Sequence, residues 1–163
     1  MMLLKMCASL GALACAMSVL LAPPAHAADS AELAAFKAAI RAKYDLKERA
    51  FANHDAATIV EKFYAPDVVS TDEAGKTHVG TAAIRPLYEE VVKGNKVRVE
   101  SVYPHVNGDA GWDWANFYVT PDDPKEKPFS FKILFLWERI DGEWWCKGDF
   151  YTLGRFGDEG EPH

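Results

Sequence analysis

One aspartate in a short turn is the first residue of this chain whose position suggests acid–base chemistry. Asp72 lies within residues 71–75 (TDEAG), between two short segments of strand-forming residues. A carboxyl group enclosed by apolar side chains has a raised pKa and can serve as a general base. Aspartate is also common in turns, because its side chain accepts hydrogen bonds from the backbone of the turn. Asp72 is therefore predicted to be either a general base or a plain turn residue.

A lysine and a tyrosine share one face of the first predicted helix. Tyr44 and Lys47 are three residues apart, so a helix places them side by side. The same face carries apolar residues at helical spacing: Leu33, Phe36, Ile40 and Phe51. Lys47 could bind an acidic ligand or pair with Asp72, or it could extend its ammonium group into solvent at the helix end. Both alternatives stay open.

The second half of the chain is rich in aromatic residues that could line a cavity. Trp112 and Trp114 are two residues apart, so a strand places them on one face, as pocket or interface residues. Phe135 belongs to the aromatic face of a long alternating segment and is a further candidate for ligand binding. Trp137 and Trp144 are expected in the core, which is the usual place of aromatic side chains.

The last predicted strand carries two more candidate ligand-binding residues. Asp149 and Tyr151 alternate with their neighbours and could lie at the floor of a pocket. A single bulge would turn both to the surface or to a dimer groove, so their orientation stays open. The ligand expected from this set of side chains is a small apolar or amphipathic molecule.

Several classes of site are not predicted. His54, His78, His105 and His163 lack the spacing of metal ligands, and Cys146 is a mid-strand residue expected to be a small buried side chain. There is no glycine-rich phosphate loop. A net charge of −6 without a basic cluster argues against nucleic acid as a partner. We therefore expect no metal, no cofactor and no nucleic acid.

The elements that must position these residues change character along the chain. Helical periodicity precedes Pro66, which is expected to end the second helix. A short hairpin and a third helix beginning at Thr81 follow, and from Lys96 onward the pattern alternates with period two. Three helices followed by a meandering antiparallel sheet predict an α+β fold. A strongly bent sheet wrapped over the long helix would form a cone whose open end is a pocket.

The first 27 residues have the features of a secretory signal peptide. A single lysine precedes an uncharged apolar run, and residues 25–27 (AHA) form a small-x-small cleavage site. The run is short for a membrane-spanning helix, which needs about 20 apolar residues. We expect cleavage after Ala27 and a periplasmic or secreted protein that is not associated with a membrane after cleavage. Attachment of a lipid to Cys15 is the alternative.

Removal of this segment leaves one folded unit. We expect a single domain over residues 28–156 and an acidic, flexible tail over residues 157–163. Cys146 is then without another cysteine in the mature chain, which excludes an intrachain disulfide. Its stability must come from packing.

Four short motifs occur in order along this domain: residues 52–57 (ANHDAA), 63–68 (FYAPDV), 80–85 (GTAAIR) and 141–145 (DGEWW). Their order and spacing resemble the nuclear transport factor 2-like superfamily, in its SnoaL-like and ketosteroid-isomerase-like branch. The resemblance covers essentially the whole mature chain and implies a cone-shaped α+β barrel, commonly a homodimer through the sheet. It does not imply one chemistry, because members include isomerases, cyclases, dehydratases, hydrolases and non-enzymes.

The isomerases of this superfamily use an aspartate base in the hairpin, with a tyrosine and a protonated aspartate as oxyanion donors. Asp72 lies close to the base position, Lys47 occupies the tyrosine position and Leu136 the position of the second aspartate. Steroid isomerisation by that mechanism is therefore not expected. Three functions stay open: binding of a small molecule in the cone, a cofactor-free isomerase, dehydratase or cyclase that uses Asp72 for proton transfer, and a dimerisation module without chemistry.

Overall fold

The computed structural model describes residues 25–157. Its helices are α1 (Ala25–Ala52), α2 (Ala56–Lys62) and α3 (Thr81–Val91), and its strands are β1 (Tyr64–Thr71), β2 (Thr77–Val79), β3 (Asn95–Asn107), β4 (Ala110–Pro121), β5 (Phe129–Ile140) and β6 (Glu143–Leu153). Cys15, most of the expected signal peptide and most of the acidic tail lie outside the described residues. Within the described part, none of the helices combines the length and apolarity needed to span a membrane.

The six strands form one open sheet in the order β2-β1-β6-β5-β4-β3. Strands β3 to β6 form an antiparallel meander, as expected from their alternating pattern and short connections. The edge beyond β6 differs from the expected all-antiparallel sheet, because β1 runs parallel to β6. No hairpin joins these two strands, so chain connectivity does not impose an antiparallel direction on them. The predicted α+β class, with three helices and a bent sheet, is confirmed.

Helix α1 packs its apolar face against the inner face of the sheet. Phe36, Ile40, Tyr44 and Phe51 are each at most 4% exposed and belong to the core of the domain. Their spacing of four, four and seven residues is the one that predicted this buried face. Lys47 lies on the same face and is therefore carried into the interior together with them.

Turn and cap residues fix the ends of several elements. The Asp55 carboxylate accepts a hydrogen bond from the backbone N–H of Thr58 at 2.9 Å and caps α2. Asp141 and Gly142 both have positive φ angles, 51° and 82°, in the two-residue hairpin turn between β5 and β6. Pro66, which was expected to end α2, lies within β1 instead. The chain becomes extended earlier because buried Tyr64 already pairs with β6.

The segment after β6 folds back over the outer face of the sheet. The side chain of Asn116 accepts a hydrogen bond from the backbone N–H of Phe156 at 2.7 Å and donates one to its carbonyl at 3.3 Å. The Phe156 ring packs edge-on against Tyr103 and Trp114. These contacts hold the backbone up to the last residue of the predicted domain.

Candidate functional site

A cavity of about 460 Å³ lies between the inner face of the sheet, α3 and the β1–β2 hairpin. Much of its wall is apolar and comes from α3 and the central strands: Ile84, Leu87, Phe117, Phe131 and Ile133. Lys47 and Asp149 also line the cavity, and at 1% and 6% exposure they lie at its deep end. The hairpin contributes polar residues to the mouth: Asp72, Glu73, Lys76 and His78.

The phenol of Tyr64 joins the two charged groups at the floor of the cavity. Lys47 Nζ donates a hydrogen bond to Tyr64 Oη at 2.8 Å, and Tyr64 Oη donates one to Asp149 Oδ2 at 2.5 Å. Asp149 Oδ1 accepts a further hydrogen bond from Ser70 Oγ at 2.6 Å. Both carboxylate oxygens of Asp149 are therefore hydrogen-bonded, as a buried charge requires.

The directions of these hydrogen bonds follow from the protons available. A phenol has one proton and two oxygen lone pairs. Because Tyr64 gives its proton to Asp149, its 2.5 Å contact with Tyr88 Oη must be donated by Tyr88. Lys47 and Tyr88 thus use both lone pairs of Tyr64, and the network points from these two donors through Tyr64 to the carboxylate.

Aromatic rings surround the ammonium group of Lys47. Its Nζ lies between 4.2 and 5.6 Å from the centroids of the rings of Phe63, Tyr64, Tyr88, Phe117 and Phe135. Burial among these rings lowers the pKa of Lys47 from its ordinary 10.5 to about 8, although the charge of Asp149 acts in the opposite direction. Lys47 therefore loses its proton at mildly alkaline pH.

The two phenols and the thiol beside Lys47 stay neutral at mildly alkaline pH. Burial, reinforced by the negative charge of Asp149, raises the pKa of the Tyr64 and Tyr88 phenols and of the Cys146 thiol well above their ordinary values. Cys146 is buried and free, as expected for a small side chain in the core. Lys47 is thus the group that changes charge at mildly alkaline pH, while the two phenols and the thiol stay neutral.

Asp72 lies at the mouth of the cavity and serves its own turn. Its Oδ1 accepts hydrogen bonds from the backbone N–H groups of Ala74 at 3.0 Å and Lys76 at 2.9 Å. Lys47 bonds to Tyr64 rather than to Asp72, and it does not extend into solvent. The geometry of Asp72 is the one expected of a turn residue, while the general-base role stays a prediction.

Tyr151 shares the cavity wall with Asp149, so these two predicted residues do come together. Burial, together with a hydrogen bond to Glu73, raises the pKa of the Tyr151 phenol. Glu73 and Tyr151 thereby link the hairpin to β6 at the side of the mouth.

Tyr44 and Phe135 lie in the core beside the cavity rather than on its wall. Tyr44 Oη donates a hydrogen bond to Asp113 Oδ2 at 2.8 Å, and neither residue is exposed. Burial raises the pKa of Asp113, while the hydrogen bond from Tyr44 lowers it. The ring of Phe135 lies 5.3 Å from that of Tyr44 and 5.3 Å from Lys47 Nζ. Tyr44 and Phe135 therefore pack in the core beneath the floor of the cavity and do not line it.

Trp112 and Trp114 lie on the outer face of the sheet, which corrects their assignment to the pocket. Trp112 is 43% exposed and stacks on His105, with ring centroids 4.1 Å apart. Because side chains alternate along β4, the inward position between the two tryptophans belongs to Asp113, which reaches Tyr44 on α1. The interface alternative for these tryptophans stays a prediction.

Sequence reasoning missed the residues that connect the floor. Tyr64, Ser70, Tyr88 and the core residue Asp113 were not among the candidates. The pairing of β1 with β6 is irregular between Tyr64 and Val69, so period-two alternation could not show which β1 side chains point inward. Among residues 25–157 there is no group of three or more potential ligands that could hold a metal ion.

Comparisons with solved structures agree with this fold. A domain of unknown function with a cystatin-like fold from Nostoc punctiforme is 17% identical, with a TM-score of 0.62 over 73% of this chain and 77% of that one. An NTF-2 like protein of unknown function from Shewanella oneidensis is 12% identical, with a TM-score of 0.62 over 71% and 97% of the two chains. A ketosteroid isomerase-like protein from Erwinia carotovora atroseptica is 18% identical, with a TM-score of 0.59 over 72% and 95%.

At these identities the structures establish the fold alone. No match was found among curated proteins. The family model described as the SnoaL-like domain matches residues 26–146, which is most of the chain. The chain therefore belongs to the SnoaL-like domain family.

Proposed function

We propose that this domain binds a small, largely apolar molecule in the cavity above Lys47, with a polar group of the ligand directed to the floor. The observation that carries the proposal is the combination of apolar walls with a buried, hydrogen-bonded Lys47–Tyr64–Asp149 network. A volume of about 460 Å³ lies within the range of about 300–1,000 Å³ that is typical of small-molecule sites. A few polar groups on an apolar wall are the usual means by which such sites orient a ligand.

An enzyme that transfers protons is the second candidate. Perturbed titratable groups in a cavity favour catalysis over simple packing. Lys47 fits this description. Lys47 and its partner Asp149 are also buried in the cavity wall, whereas Asp72 is bonded to its own turn. An isomerase, dehydratase or cyclase reaction without a cofactor would use these groups for proton transfer.

We further propose that the domain works as an exported homodimer. Export is supported by the leader-like composition of residues 1–27. Dimerisation is supported by large apolar side chains exposed on the outer face of the sheet: Tyr103, Trp112, Leu136 and Phe150. A dimerisation module without any ligand would need this face and not the cavity.

Native mass spectrometry of the protein purified from its own source tests the binding proposal. We expect a retained small molecule that is lost in Val91→Trp, because Val91 lines the cavity and a tryptophan there would fill it. Val79→Trp is the matched control, since Val79 is also exposed but does not line the cavity. The binding proposal is wrong if no retained molecule is found and a library of apolar compounds gives no binding that the two variants distinguish.

A further inference from the structure

We infer that Lys47 forms an imine with a neutral aldehyde or ketone bound in the cavity. This inference rests on the proposed binding function and adds to it the chemical class of the ligand and the atom that reacts. The relevant observations are a buried amine on the cavity wall, a proton acceptor reached through one phenol, and the balance of charge at the floor.

The balance of charge selects a neutral ligand. The ammonium group of Lys47 is already matched by the carboxylate of Asp149, with Tyr64 between them. A ligand carboxylate would add a second negative charge to a buried site with one positive charge, and uncompensated buried charge is costly. The mouth of the cavity does not compensate for this extra negative charge, because Asp72 and Glu73 lie there beside Lys76. A carbonyl group carries no net charge and avoids this cost.

The surroundings of Lys47 suit an amine that reacts. Five aromatic rings hold Nζ in place and restrict access of water to it. Restricted access of water favours the imine, because imine formation releases water. Desolvation in an apolar pocket is also one of the ways in which proteins turn lysine into a nucleophile. The tyrosine and aspartate beside it supply a route for protons.

The proton route accounts for each step. The Lys47 ammonium gives one proton to Tyr64, which passes its own proton to Asp149 along the existing hydrogen bonds. The neutral amine then attacks the carbonyl carbon, and the carbonyl electron pair moves to oxygen. One proton passes from the nitrogen to this oxygen and makes it a hydroxyl group. Asp149 returns the proton it received, through Tyr64, to the hydroxyl group, which leaves as water while the nitrogen lone pair forms the C=N bond. The Lys47 ammonium group and the carbonyl compound thus become a protonated imine and one water, without any oxidant or reductant.

The groups that face Lys47 set the pH range of this reaction. They are Tyr64 on β1, Tyr88 on α3, and Asp149 and Cys146 on β6, while β4 and β5 contribute the uncharged rings of Phe117 and Phe135. The two phenols and the thiol are neutral near pH 8, so the amine and the carboxylate alone determine the charge there.

Reductive trapping tests the inference. The full chain is incubated with 2-naphthaldehyde and sodium cyanoborohydride, which reduces an imine to a stable amine, and the modified residue is identified by peptide mass spectrometry. We expect one naphthylmethyl group on Lys47, formed faster at pH 8 than at pH 6. Labelling should fall to background in Lys47→Arg, which keeps the charge but forms no imine.

A lysine at the mouth provides the matched control. Lys76 also lines the cavity, and Lys76→Arg should leave the labelling of Lys47 unchanged. Binding of the unreactive analogue 2-naphthylmethanol, measured by quenching of tryptophan fluorescence, separates the two proposals. The imine is overturned, and the binding function kept, if the alcohol binds saturably but the label on the wild-type protein is spread over surface lysines or confined to Lys76. If the wild-type protein does not bind the alcohol either, the imine and the binding function are both overturned for this class of ligand.

Discussion

Lys47 and Asp149 are joined through a single phenol: Lys47 Nζ lies 2.8 Å from Tyr64 Oη, which lies 2.5 Å from Asp149 Oδ2. The two residues come from the first helix and the last strand of the domain. Their charges are buried together on the wall of the cavity, where each limits the cost of burying the other. This relationship makes the stability of the domain depend on the same few groups that the proposed ligand would contact.

The first prediction concerns the pH dependence of stability. Lys47 loses its proton at about pH 8 in the folded state and near pH 10.5 in the unfolded state. Between these values the unfolded chain binds more protons, so Lys47 makes the free energy of unfolding rise with pH, by up to roughly 3 kcal/mol. Urea unfolding of wild type and Lys47→Met from pH 7 to 10 measures the effect as a difference. Burial of Cys146 acts with the opposite sign in both proteins and is removed by the comparison.

An identical pH dependence in wild type and Lys47→Met would show that the ammonium group is solvated rather than buried. The control variant is Lys93→Met, because Lys93 lies on the surface with its ammonium group paired to Glu90. This substitution should leave the pH dependence unchanged.

The second prediction concerns the phenol that joins the network. Tyr64→Phe removes a hydroxyl group that accepts two hydrogen bonds and donates one. Lys47, Tyr88 and Asp149 are then each short of a hydrogen bond. Buried polar groups without a partner cost about 1–3 kcal/mol each, so we expect a loss of several kcal/mol. Tyr88→Phe removes one donor only, and its effect should be smaller. Chemical denaturation measures both, and equal effects would contradict the assigned directions.

How far this network could be predicted differs between its members. Lys47 stands out in the sequence because it is a charge on an otherwise apolar helical face, and the helical period is regular enough to place it. The α+β class follows from the change from helical periodicity before Pro66 to period two after Lys96. Asp149 and Tyr151 were grouped because they alternate on one strand, and both line the cavity.

Tyr64 could not be found in this way. Its strand shows no regular alternation of buried and exposed residues, because Tyr64 and Ala65 are buried in succession.

Trp112 and Trp114 show a second limit of prediction from alternation. Alternation places them on one face of β4 but does not say which face is the inner one. That choice follows from Asp113, whose partner Tyr44 lies on a distant helix.

The third prediction concerns the outer face. Leu136 is 46% exposed, is paired with Trp112 across β4 and β5, and belongs to the proposed interface. Leu136→Lys places a charge in that interface and should convert a homodimer into a monomer. Light scattering at micromolar concentration measures the change, and Val79→Lys on the edge strand is the control. A monomeric wild-type protein would refute the proposed dimer.

The fourth prediction concerns the amino terminus. The apolar run and the AHA sequence at residues 25–27 predict a mature protein that begins at Ala28. Intact-mass analysis of material recovered from the periplasm or the medium should give that mass. A mature protein that begins at Cys15 and carries a lipid would contradict cleavage after Ala27.

The last prediction compares the two aspartates that face the cavity. Asp72 accepts both of its hydrogen bonds at Oδ1, from Ala74 and Lys76. The amide oxygen of asparagine can accept the same two bonds, so Asp72→Asn should change stability by no more than about 0.5 kcal/mol, as is usual for surface substitutions that break no interaction.

Asp149 accepts its hydrogen bonds at two different oxygens, one from Ser70 and one from Tyr64. Asparagine has only one acceptor oxygen, so its amino group would face one of these hydroxyl groups, and the charge of Lys47 would lose its partner. Removing one member of a buried charge pair costs about 3–5 kcal/mol, which is the loss we expect for Asp149→Asn. Adding Lys47→Met should recover part of that loss, because the uncompensated charge is then gone. A large loss in Asp72→Asn with little change in Asp149→Asn, measured by urea unfolding, would reverse the roles assigned to the two carboxylates.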